Sequence, residues 1–205
     1  MSISSDSLDF NNLTWKNASQ TKGEKGVRVD VADVKGFDLK AIRASSTYKA
    51  SIAQLRARIM DMENFHTWVT GAISSTVVKI MEDNAQACHC EYSAPWPLKN
   101  RDGVVVQQLV RIDENTVGIR LRANSTLIKE KRGVVRIEYL QGIWILQDIG
   151  DGKTELTYQL HSDPNGNIPD MLVNRMITEA PTNTLTNLHN VDFSIYSPEQ
   201  LALAV

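Results

Sequence analysis

Glu155-Leu156-Thr157-Tyr158-Gln159-Leu160-His161-Ser162-Asp163-Pro164-Asn165-Gly166-Asn167-Ile168-Pro169 carries a change of period that decides the fold. Up to His161 the apolar side chains alternate: Leu156, Tyr158 and Leu160 share one phase of a strand, and that phase is expected to face inward. Asp163-Pro164-Asn165-Gly166 then reads as a turn, with proline at its second position and glycine at its fourth. Pro169 suits the first turn of a helix, where its missing N–H costs nothing. Beyond it Leu172, Val173, Met176, Ile177, Ala180, Leu185, Leu188 and Val191 form an apolar stripe, and Pro181 is expected to kink the helix and free a carbonyl. A series of strands therefore ends in one long C-terminal helix.

Upstream lie β-rich runs at Ala72–Met81, Ala85–Tyr92, Gly103–Arg111, Thr116–Ala123 and Val134–Leu146. Asp113-Glu114-Asn115 and Gly150-Asp151-Gly152 supply residues that tolerate tight hairpin turns, so successive strands are expected to be antiparallel. Before them Ile52, Leu55, Ile59 and Met62 have the spacing of one helical face, with a capping candidate at Ser46/Thr47. Phe65 and Trp68 continue that buried side into the next turn. Two further strand candidates, Val27–Val34 and Phe37–Ala44, flank a Lys35-Gly36 turn. Residues 1–25 read as an N-terminal helix or arm ending in a flexible Thr21–Gly26 stretch, and residues 26–205 as one domain, because no repeat or low-complexity linker divides them.

With 205 residues, 42% hydrophobic and 22% charged, the composition is that of a globular domain and disfavours disordered, collagenous and membrane-spanning readings. A net charge of −2 offers phosphates no general attraction, so nucleic acid is not an expected partner. Met1–Lys16 has neither a basic start nor a continuous apolar run, so no secretory signal or anchor is expected. Cys88 and Cys90 stand two apart in a strand-like run, which puts both thiols on one face in poor disulfide geometry. They read as small core residues, and a cytoplasmic location is the simplest expectation. A metal or redox role would need further ligands nearby.

The order of elements is accompanied by recurring motifs. Trp15 stands near the start and Trp68 after the first helix; Pro95-Trp96-Pro97-Leu98-Lys99-Asn100-Arg101-Asp102 follows; Val135-Arg136 precedes Gly142-Ile143-Trp144. Thr157-Tyr158 and Asp163-Pro164-Asn165-Gly166-Asn167-Ile168-Pro169 complete the series, with Asn174 in the helix after them. Taken together these resemble the START family, the steroidogenic-acute-regulatory-related lipid transfer domains, over nearly the whole chain. The resemblance implies an α+β helix-grip fold: a curved antiparallel sheet wrapped around the long C-terminal helix, with an internal hydrophobic cavity and loops gating its mouth. It also implies binding, carriage or sensing of a lipid, sterol or other apolar molecule without catalysis, and without cofactor or metal. One departure counts against cholesterol specificity. Where the family has Arg-Asp-Phe-Val and, in its steroid-handling branch, a later arginine, this chain has Arg101-Asp102-Gly103-Val104 and then Gln107.

Tail burial alone cannot make such a carrier selective. About 14 methylenes recover roughly 11 kcal/mol, but a bilayer offers the same. Selection has to come from polar groups in an apolar cavity, where a misplaced ligand leaves them unsatisfied. The candidates are Tyr92, Gln107, Arg120, Arg136, Tyr158 and His161, with Trp144 beside them and Met171 and Met176 on the helix as adaptable packing for variable tails. Each has a plainer reading. Arg120 and Arg122 alternate with Val117, Ile119 and Leu121 and so are also expected to face water, and His89 and His161 also read as satisfied or exposed histidines. Arg101 and Asp102 read equally as a loop-fixing pair. Residues 125–132 place Leu127 and Ile128 beside Lys129, Lys131 and Arg132, which suits transient contact with an anionic membrane and equally a solvated loop. The rival class is an enzyme of the wider helix-grip superfamily, cyclase- or hydrolase-like, acting on an apolar substrate in the same cavity. No His-Glu metal motif, Gly-x-Ser-x-Gly elbow or phosphate-binding glycine loop is present in the sequence.

Overall fold

Alternating apolar and polar residues dominate the chain between Lys16 and Asp163, and there they build one sheet. The structure is a computed structural model that describes residues 8–169, 172, 173 and 175–202. Its strands are β1 (Lys16–Gln20), β2 (Arg28–Ala32), β3 (Ala41–Tyr48), β4 (Ala72–Ile80), β5 (Ala85–Tyr92), β6 (Arg101–Asp113), β7 (Thr116–Ala123), β8 (Val135–Ile137), β9 (Tyr139–Gly150) and β10 (Lys153–Asp163). They form a ten-stranded sheet in the order β1-β2-β3-β10-β9-β7-β6-β5-β4, with β8 beside β6. The helices are α1 (Ile52–Met60), α2 (Ala180–Leu188) and α3 (Pro198–Ala202). The large antiparallel curved sheet with its C-terminal helix is the helix-grip architecture expected from the motifs.

Several local expectations need correction. The run Val134–Leu146 splits at Glu138 into β8 and β9, and β8 pairs parallel with β6 through Arg101↔Val135 and Asp102↔Arg136, so the pairing is not antiparallel throughout. Residues 16–20, read from sequence as arm, pair with β2 as the sheet's edge strand. Ser46 and Thr47 do not cap α1. They belong to β3, where Thr154 stands opposite Tyr48, and Ser51 is the cap, its Oγ accepting from Gln54 N while Gln54 Oε1 accepts from Ser51 N.

The C-terminal helix is not one continuous α-helix kinked at Pro181. Arg175–Glu179 form a π-helical turn, and α2 starts at Ala180, which puts the buried Pro181 in its first turn. The physical reason is the missing N–H, which is no loss in a first turn but would break the ladder further in. The core lies between the sheet and the helices and includes Leu55, Ile59, Trp68, Ile119, Trp144, Leu146, Leu156, Leu185 and Leu188. Gly142 shows why a glycine stands ahead of Trp144: a Cβ there would fall 2.6 Å from Gln159 O on the neighbouring strand.

Candidate functional site

The strand register fixes which side chains share a face, because directly opposed residues point the same way. One inward row runs Val29–Ala44–Tyr158–Trp144–Ile119–Leu109 across β2, β3, β10, β9, β7 and β6. The next runs Leu160–Gly142–Leu121–Gln107–Gln86. A third joins Ala123, Val105 and Cys88, and Gly103 faces Cys90 beyond it. Every inward residue named here is neutral. Asp30, Arg43, Gln159, Ile143, Arg120 and Gln108 form the corresponding outward row.

These rows sort the candidates. Tyr158 and Trp144 lie on the inner wall and stack, ring centroids 3.8 Å apart. Tyr92 continues the phase of Cys88 and Cys90 along β5. Gln107 is buried there too: Gln86 Nε2 donates 2.8 Å to Gln107 Oε1 and 2.8 Å to Met60 O at the end of α1. The Cys88 thiol also approaches Gln107 Oε1, at 3.8 Å.

Three candidates lie elsewhere. Arg120 is exposed on the outer face, as its alternation with Ile119 and Leu121 requires. His161 also faces outward, in a small aromatic cluster: its Nδ1 is 3.1 Å from Tyr139 Oη, its Nε2 3.0 Å from Leu39 O, and its ring edge-on to Phe37. Arg136 is buried opposite Asp102 and away from the inner wall, donating from Nε and Nη2 at 2.8 Å each to the two carboxylate oxygens. His89 Nε2 is 2.9 Å from the same carboxylate. Burial pushes the Asp102 carboxyl up, and the hydrogen bonds from Arg136 and His89 outweigh it and hold it below its ordinary value. Arg136 also donates to the carbonyls of Ser125, Ile128 and Lys129, so it organises the 125–132 loop.

Met176 is 42% exposed on the π-helical turn, and Met171 lies outside the described residues. The neighbouring Leu172, Val173 and Ile177 are half-buried. Tyr92, Val105, Leu140 and Tyr158 face inward and pack against the core yet keep accessible surface. Sequence reasoning missed Val105 and Leu140, which the alternation of Gly103, Val105 and Gln107 and of Leu140, Gly142 and Trp144 would have placed.

The inner wall is electrostatically quiet. Burial pushes the Cys88 and Cys90 thiols up to about 12, the adjacent Cys90 adding to the effect at Cys88. Burial likewise raises the Tyr92 and Tyr158 phenols far above their ordinary value, so all four groups are un-ionised at neutral pH. Among the described residues no group of His, Cys, Asp and Glu could hold a metal. Two open clefts, about 470 and 520 Å³, lie along the 20–28 turn and beside Arg58 and Asn187, and contain none of the candidates.

At the end of the wall where Tyr92 sits, the loops are tied together. Arg101 donates to the carbonyls of Lys99, Pro164 and Asn165, Asn165 Nδ2 to Arg136 O, and Val135 N to Asn100 O. Lys131 pairs with Glu91 at 3.0 Å. Trp96 stands 93% exposed on this side.

A sheet gripping a C-terminal helix over a neutral, partly open inner wall invites comparison with known proteins. An uncharacterized protein of Pseudomonas aeruginosa, PA1579, is 34% identical over 177 residues, covering 86% of this chain and 85% of that one. The crystal structure of a STAR-related lipid transfer protein fragment from Xanthomonas axonopodis matches with a TM-score of 0.77 at 29% identity, over 86% of this chain and 97% of that one. Human StAR-related lipid transfer protein 5 shares the fold, with a TM-score of 0.76 at 18% identity over 86% of this chain and 85% of that one. The START domain family model matches residues 3–187, which takes in every strand and most of the C-terminal helix: the chain belongs to the START domain family.

Proposed function

We propose that this chain binds a lipid, sterol or other apolar molecule between the inner wall and residues 172–179, and carries or senses it without catalysis. The observation that supports this reading is the partial exposure of Tyr92, Val105, Leu140 and Tyr158, which point inward and would be fully covered in a solidly packed core. Stacking on Trp144 fixes the Tyr158 ring so that a guest meets a preformed surface. A catalytic reading would need an acid and a base in mutual reach. The wall residues named above supply neither. Two serine–histidine pairs occur among the described residues, and both spend the serine proton on a carbonyl: Ser46, 2.8 Å from His189, donates to Gly26 O, and Ser75, 3.3 Å from His66, donates to Met62 O, so each histidine is left as the donor.

The same reading places the work in the cytoplasm and gives nucleic acid no part in it. Transient membrane contact falls to the 125–132 loop, where Lys129, Lys131 and Arg132 are exposed, with Trp96 on the neighbouring loop as an interfacial aromatic. Native mass spectrometry of protein purified from its own cells, followed by lipid extraction, tests the proposal. An intact apolar molecule that co-purifies, and is retained less by Tyr158→Ala at unchanged fold, is the expected result. Protein that carries nothing and extracts nothing from lipid vesicles contradicts it. Acceleration of exchange between donor and acceptor vesicles then separates carriage from sensing.

A further inference from the structure

Hydrogen-bond accounting on the inner wall says more about the guest. Met60 O is an acceptor only, so Gln86 must turn its NH2 toward it; the same NH2 meets Gln107, which must therefore present its oxygen. That leaves the Gln107 NH2 without a protein acceptor among the described residues. The Tyr158 hydroxyl likewise has none there, and the Tyr92 hydroxyl lies beside the Cys90 thiol. Trp68, which leans on Trp144 with centroids 6.0 Å apart, has a buried Nε1–H with no partner. The wall thus holds a surplus of neutral donors.

Fixed charge, apart from Arg101 at the rim, is placed outside. Asp30, Arg43, Arg120, Asp102 and Arg136 point to the outer face, and Arg101 at the rim is occupied by carbonyls of Lys99, Pro164 and Asn165. On the facing helix segment Arg175 and Glu179 are exposed and pair with each other at 3.0 Å. An ionised head group beside Tyr158 and Gln107 would lose its hydration, and the one arginine in the wall's phase among the described residues, Arg101 opposite Tyr92, already gives its N–H groups to three carbonyls. A neutral carbonyl, ester or ether oxygen would satisfy the idle donors at no such cost.

Resting on the binding reading above, we infer that the buried polar end of the ligand is uncharged and is a hydrogen-bond acceptor, of the ester or ketone class. The test uses pyrene-labelled probes with one common tail, ending in a methyl ester, a carboxylate or a plain alkyl group. Each is presented in neutral vesicles at pH 8, and the protein-bound fraction is measured after separation. The ester should bind about tenfold more tightly than the carboxylate and several-fold more tightly than the alkane. Tyr158→Phe, which keeps the ring stack, and Gln107→Leu should each reduce the ester's advantage over the alkane, read as the ratio of the two within each variant. A carboxylate that binds as well as the ester, or an ester advantage that neither variant changes, overturns the inference. Failure of all three probes, alkane included, overturns the binding reading itself and the inference with it.

Discussion

The two halves of the C-terminal helix are held in opposite ways. In the second half Leu185 and Leu188 are fully buried, and polar ties add to that packing: Tyr48 Oη donates to Leu185 O at 2.7 Å, Thr70 N to Thr184 Oγ1, and Asn187 Nδ2 to Trp68 O, while His189 meets Ser46 and stacks on Tyr48. In the first half the described residues are at best half-buried, the backbone takes a π-helical turn, and Arg175–Glu179 is a surface pair. In the proposed binding reading the partly exposed wall residues lie across the ligand from this half. The difference teaches that one end of the helix serves the core while the other is left loose, as the cover of a ligand site would be, with Pro181 marking the change.

Mutations can break this comparison, and the largest effect is expected away from the helix, on the sheet's outer face. Asp102→Ala would strand the buried Arg136 and release the carbonyls it holds, costing about 3–5 kcal/mol in urea unfolding. A small loss there would mean that Arg136 finds another partner. Leu185→Ala should cost about 2–5 kcal/mol by the same measurement, as an unrelaxed core cavity does. Tyr48→Phe keeps the stack on His189 and removes the hydroxyl that donates to Leu185 O and meets Ser46, for about 1 kcal/mol.

Acid sharpens the same contrast. Burial, helped by Lys25, holds His189 below its ordinary 6.5, so as pH falls the unfolded chain takes the proton first. Stability is full above about 6.5 and is lost as pH drops through the lower folded value. His161 acts in the same direction through burial. His189→Gln should therefore flatten part of the loss seen in chemical unfolding as pH falls below about 6.5; an unchanged slope would mean that His189 does not contribute. Met176→Ala, on the loose half, should change stability by less than about 0.5 kcal/mol. A cost equal to that of Leu185→Ala would erase the distinction between the halves.

The fold was largely legible because its signals are local. Alternation placed β5 and β7 to the residue, the Asp-Glu-Asn and Gly-Asp-Gly turns set the β6–β7 and β9–β10 hairpins, and the period of Ile52, Leu55 and Ile59 gave α1. What escaped was non-local. The parallel pairing of β8 with β6 depends on where Asp102 and Arg136 meet, and no periodicity within either segment reports that. Face assignment succeeded for Tyr158 and Gln107 and failed for His161, although Leu160 and His161 are adjacent in one strand and must point to opposite sides. Tyr158 and His161 stand three positions apart, so the pleat lets only one of them line the wall, and His161 takes its other reading, a satisfied histidine. Arg136 was misplaced for a different reason: a buried arginine is as easily a clamp for loop carbonyls as a ligand contact, and only the coordinates distinguish them.

The central claim is that apolar space lies between the half-exposed wall and the loose half of the helix. Xenon pressurisation of crystals grown from delipidated protein tests it directly, since dry apolar voids take up xenon. The account predicts xenon density in contact with Val105, Leu140 and Tyr158. Solid packing of residues 172–179 against those side chains, with no xenon between them, would contradict it.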